Sequence, residues 1–211
     1  MMKRLSLFLA ALLLVMFTAT GAVAAKSATD TIRQTIDNVL DIIKRPGMHD
    51  QAQRGALLKE VEEQIKTIFD FTEFSARTVG PKWRQFSADQ KNRFIEAFSE
   101  LLRVTYVEKL ETYDGEKVKF TGEISSTKGD KVEVQTMVLL KDKEVPVCYR
   151  LLTKNDEWKV YDVRIEKVSL IENYKGQFKE ILLKGDADSL IKKVEEKAAE
   201  VRQQNSTAKP S

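Results

Sequence analysis

Few residues in this 211-residue chain are typed and spaced for covalent chemistry. His49 is the one histidine, and it follows Arg45-Pro46-Gly47-Met48, a turn sequence. A lone histidine cannot build a His-rich metal site. It could act as a base, yet no recognised motif sets a serine or cysteine beside it, so its plain reading is a surface loop residue. Cys148 is the one cysteine and has no internal disulfide partner. It sits in an apolar strand pattern, where the expected role is a small buried hydrophobe. The sequence has no phosphate-binding glycine loop, no nucleophile elbow and no paired-cysteine metal motif. Two carboxylates, Asp70 and Asp162, are flanked by apolar residues. Either could serve as a pocket acid or base, but hydrogen bonding or helix capping is the commoner use of such positions.

What the chain does concentrate is apolar surface. Two of its ten phenylalanines lie in the first 25 residues, and six of the others fall between Phe69 and Phe98, together with Trp83 and, further on, Tyr106. An aromatic stripe at helical spacing is more often ordinary core than a ligand cavity. On pattern alone both uses stay open.

The elements that must position these residues follow from periodicity. Residues 1–25 read as a secretory signal to be cleaved: Lys3 and Arg4, an apolar run from Leu5 to Phe17, then Ala22-Val23-Ala24. The run is too short to span a bilayer, and no later stretch is apolar enough to do so. The expected mature protein is therefore exported and soluble. Losing Lys3 and Arg4 from a chain of formal charge +3 leaves a nearly neutral surface of mixed sign. That argues against a nucleic-acid binder, which needs a concentrated basic face.

Helical spacing is expected over Thr31–Ile43, over about Asp50–Phe69, and in a short turn over Phe71–Ala76. Gly80-Pro81 is a break. Ser87 and Gln90 form a capping box that opens a long helix reaching past Tyr106 to Leu110. From Gly115 the period changes to two, giving four strands joined by short turns, Asn155-Asp156 among them. In the last strand Tyr161, Val163 and Ile165 are expected on one face and Trp158 and Val160 on the other. Two helices follow, from about Leu170 and from about Asp186. Residues 204–211 are polar and expected to be a disordered tail. The reading is an α+β fold: one domain over residues 26–203, with a four-stranded antiparallel sheet wrapped by N- and C-terminal helices.

The run from Phe69 to Tyr113 resembles the MlaC family, also called the toluene-tolerance auxiliary family. Phe69-Asp70-Phe71, Gly80, Trp83, Gln90, Phe94, Phe98, Leu102 and Tyr106 carry the likeness. A second match runs through Tyr149-Arg150-Leu151, Trp158 to Val163, Val168 to Tyr174 and Gln177-Phe178. Order and spacing agree from about Ile32 to Val194. One departure is Lys167, where the family usually has glycine. The resemblance implies a curved sheet of the nuclear transport factor 2 (NTF2-like) kind. It also implies a non-enzymatic periplasmic carrier, with phospholipid as cargo and no cofactor, serving an ABC-transporter pathway that maintains outer-membrane lipid asymmetry. The implied partners are an inner-membrane ABC transporter with an MCE-type ring and an outer-membrane lipoprotein–porin complex.

A soluble carrier needs a dry cavity with apolar walls and a polar mouth. The candidates for its walls are Trp83, Phe94, Phe98, Leu102 and Tyr106 from the helices, Val147, Tyr149, Val163 and Ile165 from the sheet, and Tyr174 after it. The competing readings are a pocket enzyme, an isomerase or hydrolase using Asp70 or Asp162, and a docking module with a filled core.

Overall fold

The computed structural model describes residues 26–107, 110 and 113–207. The expected signal segment and residues 208–211 lie outside the described residues. Helix α1 (Ala28–Ile43) starts where the Ser27 side chain accepts from the Asp30 amide. A short 3₁₀ turn (Pro46–His49) leads into α2 (Gln51–Ile68), capped by Asp50. Helix α3 (Phe71–Val79) is capped by Asp70 and stops at Gly80, whose φ of +72° a side chain would strain. A second 3₁₀ turn (Gly80–Gln85) then leads to α4 (Ala88–Leu102), opened by the Ser87–Gln90 capping box. The long helix expected here does not continue as an α-helix. It passes into a π-helical turn (Arg103–Val107), which rotates Tyr106 relative to the α4 register.

The sheet is an antiparallel meander in the order β1 (Lys117–Ser125), β2 (Lys131–Leu139), β3 (Glu144–Lys154), β4 (Glu157–Ile165), β5 (Val168–Ser169). It has five strands, not the four expected. The fifth is two residues long, too short to show a period, and only the backbone turn before it sets its pairing with Arg164 and Ile165. The chain ends in α5 (Leu170–Lys184) and α6 (Ala187–Thr207). Residues 204–207, expected in a disordered tail, are thus helical. The Asn205 side chain donates to the Val104 carbonyl at 2.8 Å and ties this end to the π turn.

Register corrects a second expectation. Arg150 pairs with Asp162, but the next residue, Leu151, pairs with Val160, leaving Tyr161 as an extra residue in a β-bulge. One inserted residue flips the alternation. Val160 therefore shares a face with Val163 and Leu151, and Tyr161 stands apart beneath the Arg77 guanidinium, 4.4 Å from its ring centre. A second irregularity, between Phe120 and Gly122 in β1, adds to the curvature.

Three apolar clusters hold the elements. Rings from α3, α4 and α5 meet α6 through Leu190, Ile191 and Val194. Ala28 and Ile32 of α1 cover Val132, Val134, Leu151 and Val160 of the sheet. Ile42, Ile43, Met48, Leu57, Val61 and Val107 join α1 and α2 to the π turn.

The β4–β5 turn puts Glu166 at φ +49° and Lys167 at φ +76°. Lys167 stands where the resembling family has glycine, and an L side chain in this region costs about 1 kcal/mol or more. Lys167→Gly is expected to raise stability by about 1 kcal/mol in denaturant unfolding.

Candidate functional site

Directly paired residues of neighbouring antiparallel strands point to the same side of a sheet. Val147 pairs with Ile165 and Tyr149 with Val163. In the other direction Val147 pairs with Thr136 and Tyr149 with Val134. These residues therefore form one continuous, mainly apolar patch on the face that meets the helices. Its two ends differ. At one end Val132, Val134, Leu151 and Val160 are closed off beneath α1. At the other, Val145, Val147, Tyr149, Val163 and Ile165 are only half-buried. Val163 packs against both the helical rings and the α1-covered cluster, so it marks the boundary between the closed and open parts.

The helical side is layered. Phe94 and Phe98 are 0% and 1% exposed and make ring contacts on several sides. Phe94 lies 5.4 Å from Phe98 and 5.5 Å from Phe178, and Phe98 lies 5.2 Å from Phe74 and 4.8 Å from Tyr174, centre to centre. Leu102 and Tyr174 are buried members of the same cluster, and Tyr106 packs against it. The Tyr174 and Tyr106 hydroxyls lie close enough to influence one another. Tyr106 is half-buried and packs against the same cluster as Val163 and Ile165. Sheet patch and Tyr106 together leave a set of apolar side chains only partly buried, and the space they face is the candidate crevice.

Burial pushes Tyr106 and Tyr174 above the ordinary tyrosine range and Tyr149 up to about 12. All three stay neutral at physiological pH and present a hydroxyl without a charge. Among the described residues, no buried side-chain polar atom lacks a hydrogen-bond partner. The Thr136 hydroxyl, on the patch, donates to the Val147 carbonyl at 2.9 Å.

Trp83 packs against the same ring cluster from a different element. It lies in the 3₁₀ turn after α3, 5.6 Å from Phe86 and 5.9 Å from Phe94, and borders a separate groove of ≈ 380 Å³ with Ala76, Arg77, Gly80, Pro81 and Arg84. A larger groove of ≈ 650 Å³ between α1 and α2 is lined mainly by polar and charged residues, Asp41, Arg45, Lys59, Glu60 and Glu63 among them, and does not suit an apolar ligand.

Both candidate carboxylates have structural partners. Asp70 accepts from the Glu73 amide at 3.0 Å and from Lys154 Nζ at 2.6 Å. Burial acts to raise its pKa, but the Lys154 ammonium and the α3 amides outweigh it and hold the carboxyl below the ordinary range. Asp162, 1% exposed, accepts from the Ser169 hydroxyl at 2.7 Å, the Ile171 amide at 3.2 Å and Arg150 Nη1 at 3.3 Å. It braces the N-terminus of α5. Cys148, expected to be buried, is half-buried on the opposite sheet face, where register places it between Gln135 and Arg164, and burial pushes its thiol up. Among the described residues no group of histidine, cysteine and acidic side chains could hold a metal.

Comparison with known proteins agrees in outline and in length. The family model described as MlaC protein matches residues 33–196. The intermembrane phospholipid transport system binding protein MlaC of Haemophilus influenzae is 22% identical over 183 residues, covering 85% of this chain and 86% of its own. A solved phospholipid-binding protein from Ralstonia solanacearum, in complex with a phospholipid, superposes with a TM-score of 0.74 at 26% identity, covering 83% of this chain and 98% of that one.

The Asp70 carboxylate makes acid stability a test of its structural role. Its folded pKa lies below the ordinary 3.8, so its contribution is fully present above that value and is lost as pH falls through the folded pKa. Denaturant midpoints are expected to drop on acidification below about pH 4. Asp70→Asn is expected to lower stability by about 1 kcal/mol at pH 7 and to flatten that acid limb.

Proposed function

The chain belongs to the MlaC family, and we propose that it is a periplasmic phospholipid carrier that holds its cargo's acyl chains in the crevice between the sheet and the tyrosines. The observation that carries this reading is the half-open inner face of the sheet. Apolar residues from two adjacent strands stay accessible there, although their neighbours at the other end of the same strands are sealed under α1. The phospholipid in the Ralstonia solanacearum structure supports the same assignment.

The energetics require such a site. The two acyl chains of a phospholipid hold roughly 30 methylenes at ~0.8 kcal/mol each, so exposing them to water would cost on the order of 25 kcal/mol. A surface patch cannot offset that, whereas a walled crevice can. We assign the wall to Leu102, Tyr106, Val147, Tyr149, Val163, Ile165 and Tyr174. Phe94 and Phe98 are the packed layer that keeps this wall rigid, and Trp83 serves elsewhere. The neutral hydroxyls of Tyr106, Tyr149 and Tyr174 suit the ester region, and no cationic cluster among the described residues is assigned to the wall, so the head group sits near solvent.

Binding and release need no covalent step, and both carboxylates that an enzyme could have used are occupied in holding the fold together. No helix among the described residues is long and apolar enough to cross a membrane, which suits a protein that collects and delivers its cargo at membranes rather than within one. The partners of this reading are an inner-membrane ABC transporter with an MCE-type ring and an outer-membrane lipoprotein–porin complex. They exchange lipid with the carrier to maintain outer-membrane asymmetry.

Val147→Glu and Ile165→Glu are each expected to leave a folded protein without co-purifying phospholipid, measured by native mass spectrometry and circular dichroism. Bound phospholipid in both variants would overturn the crevice assignment. Phe98→Ala is expected to act differently, costing about 3–5 kcal/mol of stability because it empties a packed ring site. With the head group outside, the bound lipid pool is expected to mirror the host's phospholipid composition. Strong enrichment of one head group would contradict that placement.

A further inference from the structure

The segment after α3 carries an exposed set of residues that cargo binding does not use. Trp83 rests one side of its indole on Phe86 and Phe94 and borders an open groove lined with Arg77 and Arg84. Two contacts join this segment to α5. Lys82 Nζ donates to the Leu182 carbonyl at 2.5 Å, and the Lys175 side chain reaches to within 3.9 Å of where a Gly80 Cβ would stand. Beside the first contact, Leu183 is 65% exposed, the most open large hydrophobic side chain among the described residues.

Cations flank each of these apolar residues. The Lys91 ammonium lies 5.8 Å from the Trp83 ring centre, and Arg84, Lys175 and Lys179 are exposed. None of these four has a carboxylate partner among the described residues. By contrast Arg93, two residues beyond Lys91, is paired with both Asp89 and Asp188. Glu73 is already matched to Arg77, and Glu172 and Glu180 are the acids among the exposed residues of α5. The local balance is positive in a chain that is otherwise nearly neutral.

We propose that the 80–85 segment and the exposed side of α5 form a docking site for the surface of an anionic phospholipid bilayer. An indole half-seated in protein is suited to the headgroup layer, where its apolar ring and N–H are both satisfied. A protruding leucine adds apolar insertion, and lysine and arginine stems carry charge to the lipid phosphates. A purely apolar partner would have no use for the unpaired cations. A nucleic acid would have no use for Leu183. The site is separate from the crevice, so it positions the carrier at a membrane without occupying the cargo wall.

Flotation with vesicles of phosphatidylethanolamine alone, or mixed with phosphatidylglycerol, tests this. The protein is expected to float only with the anionic mixture and to be released as salt screens the surface. Each cation near an anionic surface contributes about fivefold to partitioning, so Lys175→Gln/Lys179→Gln is expected to weaken flotation on the order of 20-fold. Leu183→Ser, at a position that packs against nothing essential, is expected to weaken it further. Equal flotation of wild type and variants, or flotation with neither vesicle, overturns the site. Capture by an acidic protein domain without vesicle binding assigns the patch to a protein partner and overturns the bilayer reading too. Co-purified phospholipid measured on the same variants reports separately on the crevice, and is expected to be unchanged.

Discussion

The fold depends on a relay of aromatic contacts that stiffens the helices into a wall and anchors that wall to the sheet at its ends. Phe69 touches Phe74 at 5.2 Å, Phe74 touches Phe98 at 5.2 Å, Phe98 touches Phe94 at 5.4 Å, and Phe94 touches Phe178 at 5.5 Å. At the Phe69 end, the Asp70 amide donates to the Val160 carbonyl of β4 at 2.8 Å. At the other end, Asp162 of β4 holds the first turn of α5. Between these two anchors several apolar residues of the inner sheet face stay only partly buried. Interior packing at native density would normally fill such a space. Here rigid rings behind and a curved sheet in front leave apolar side chains partly open.

The two anchoring carboxylates explain why the chain carries buried acids without carrying catalysis. An Asp at a helix start satisfies backbone amides that would otherwise be orphaned, and its charge suits the positive end of the helix. Asp70 adds Lys154, and Asp162 adds Arg150, which in turn reaches Glu133 at 3.0 Å. Each acid ties a helix to a strand, Asp70 to one 84 residues away in sequence and Asp162 to the helix that follows its own strand. Positions that look like pocket acids in one dimension become joints in three.

Much of this was legible beforehand. The Ser87–Gln90 capping box, the break at Gly80-Pro81 and the Asn155-Asp156 turn are local, because each depends on residues within a few positions of one another. Three features were not. The bulge at Tyr161 inverts the face of Val160, yet alternation reads smoothly through it. The two-residue β5 has no period to detect. The π-helical turn at Arg103–Val107 re-aims Tyr106, while the α-helical stripe of the sequence runs on past it. All three arise from how elements fit together in space.

From its order of residues alone, this chain determined which side chains avoid water, where its helices begin, that its sheet is an antiparallel meander, and that it resembles MlaC-type carriers. Those outcomes follow from periodicity, capping chemistry and motif spacing, which act over a few residues at a time. Tertiary structure decided which apolar residues are core and which are wall. Phe98 and Val147 are alike in pattern, each apolar at a regular spacing. One is enclosed by four neighbouring rings and the other is left half open, because α1 covers the inner face of the sheet only as far as Ile32 and its neighbours reach. Burial is set by what lies opposite a side chain, and for this sheet what lies opposite comes from helices remote in sequence.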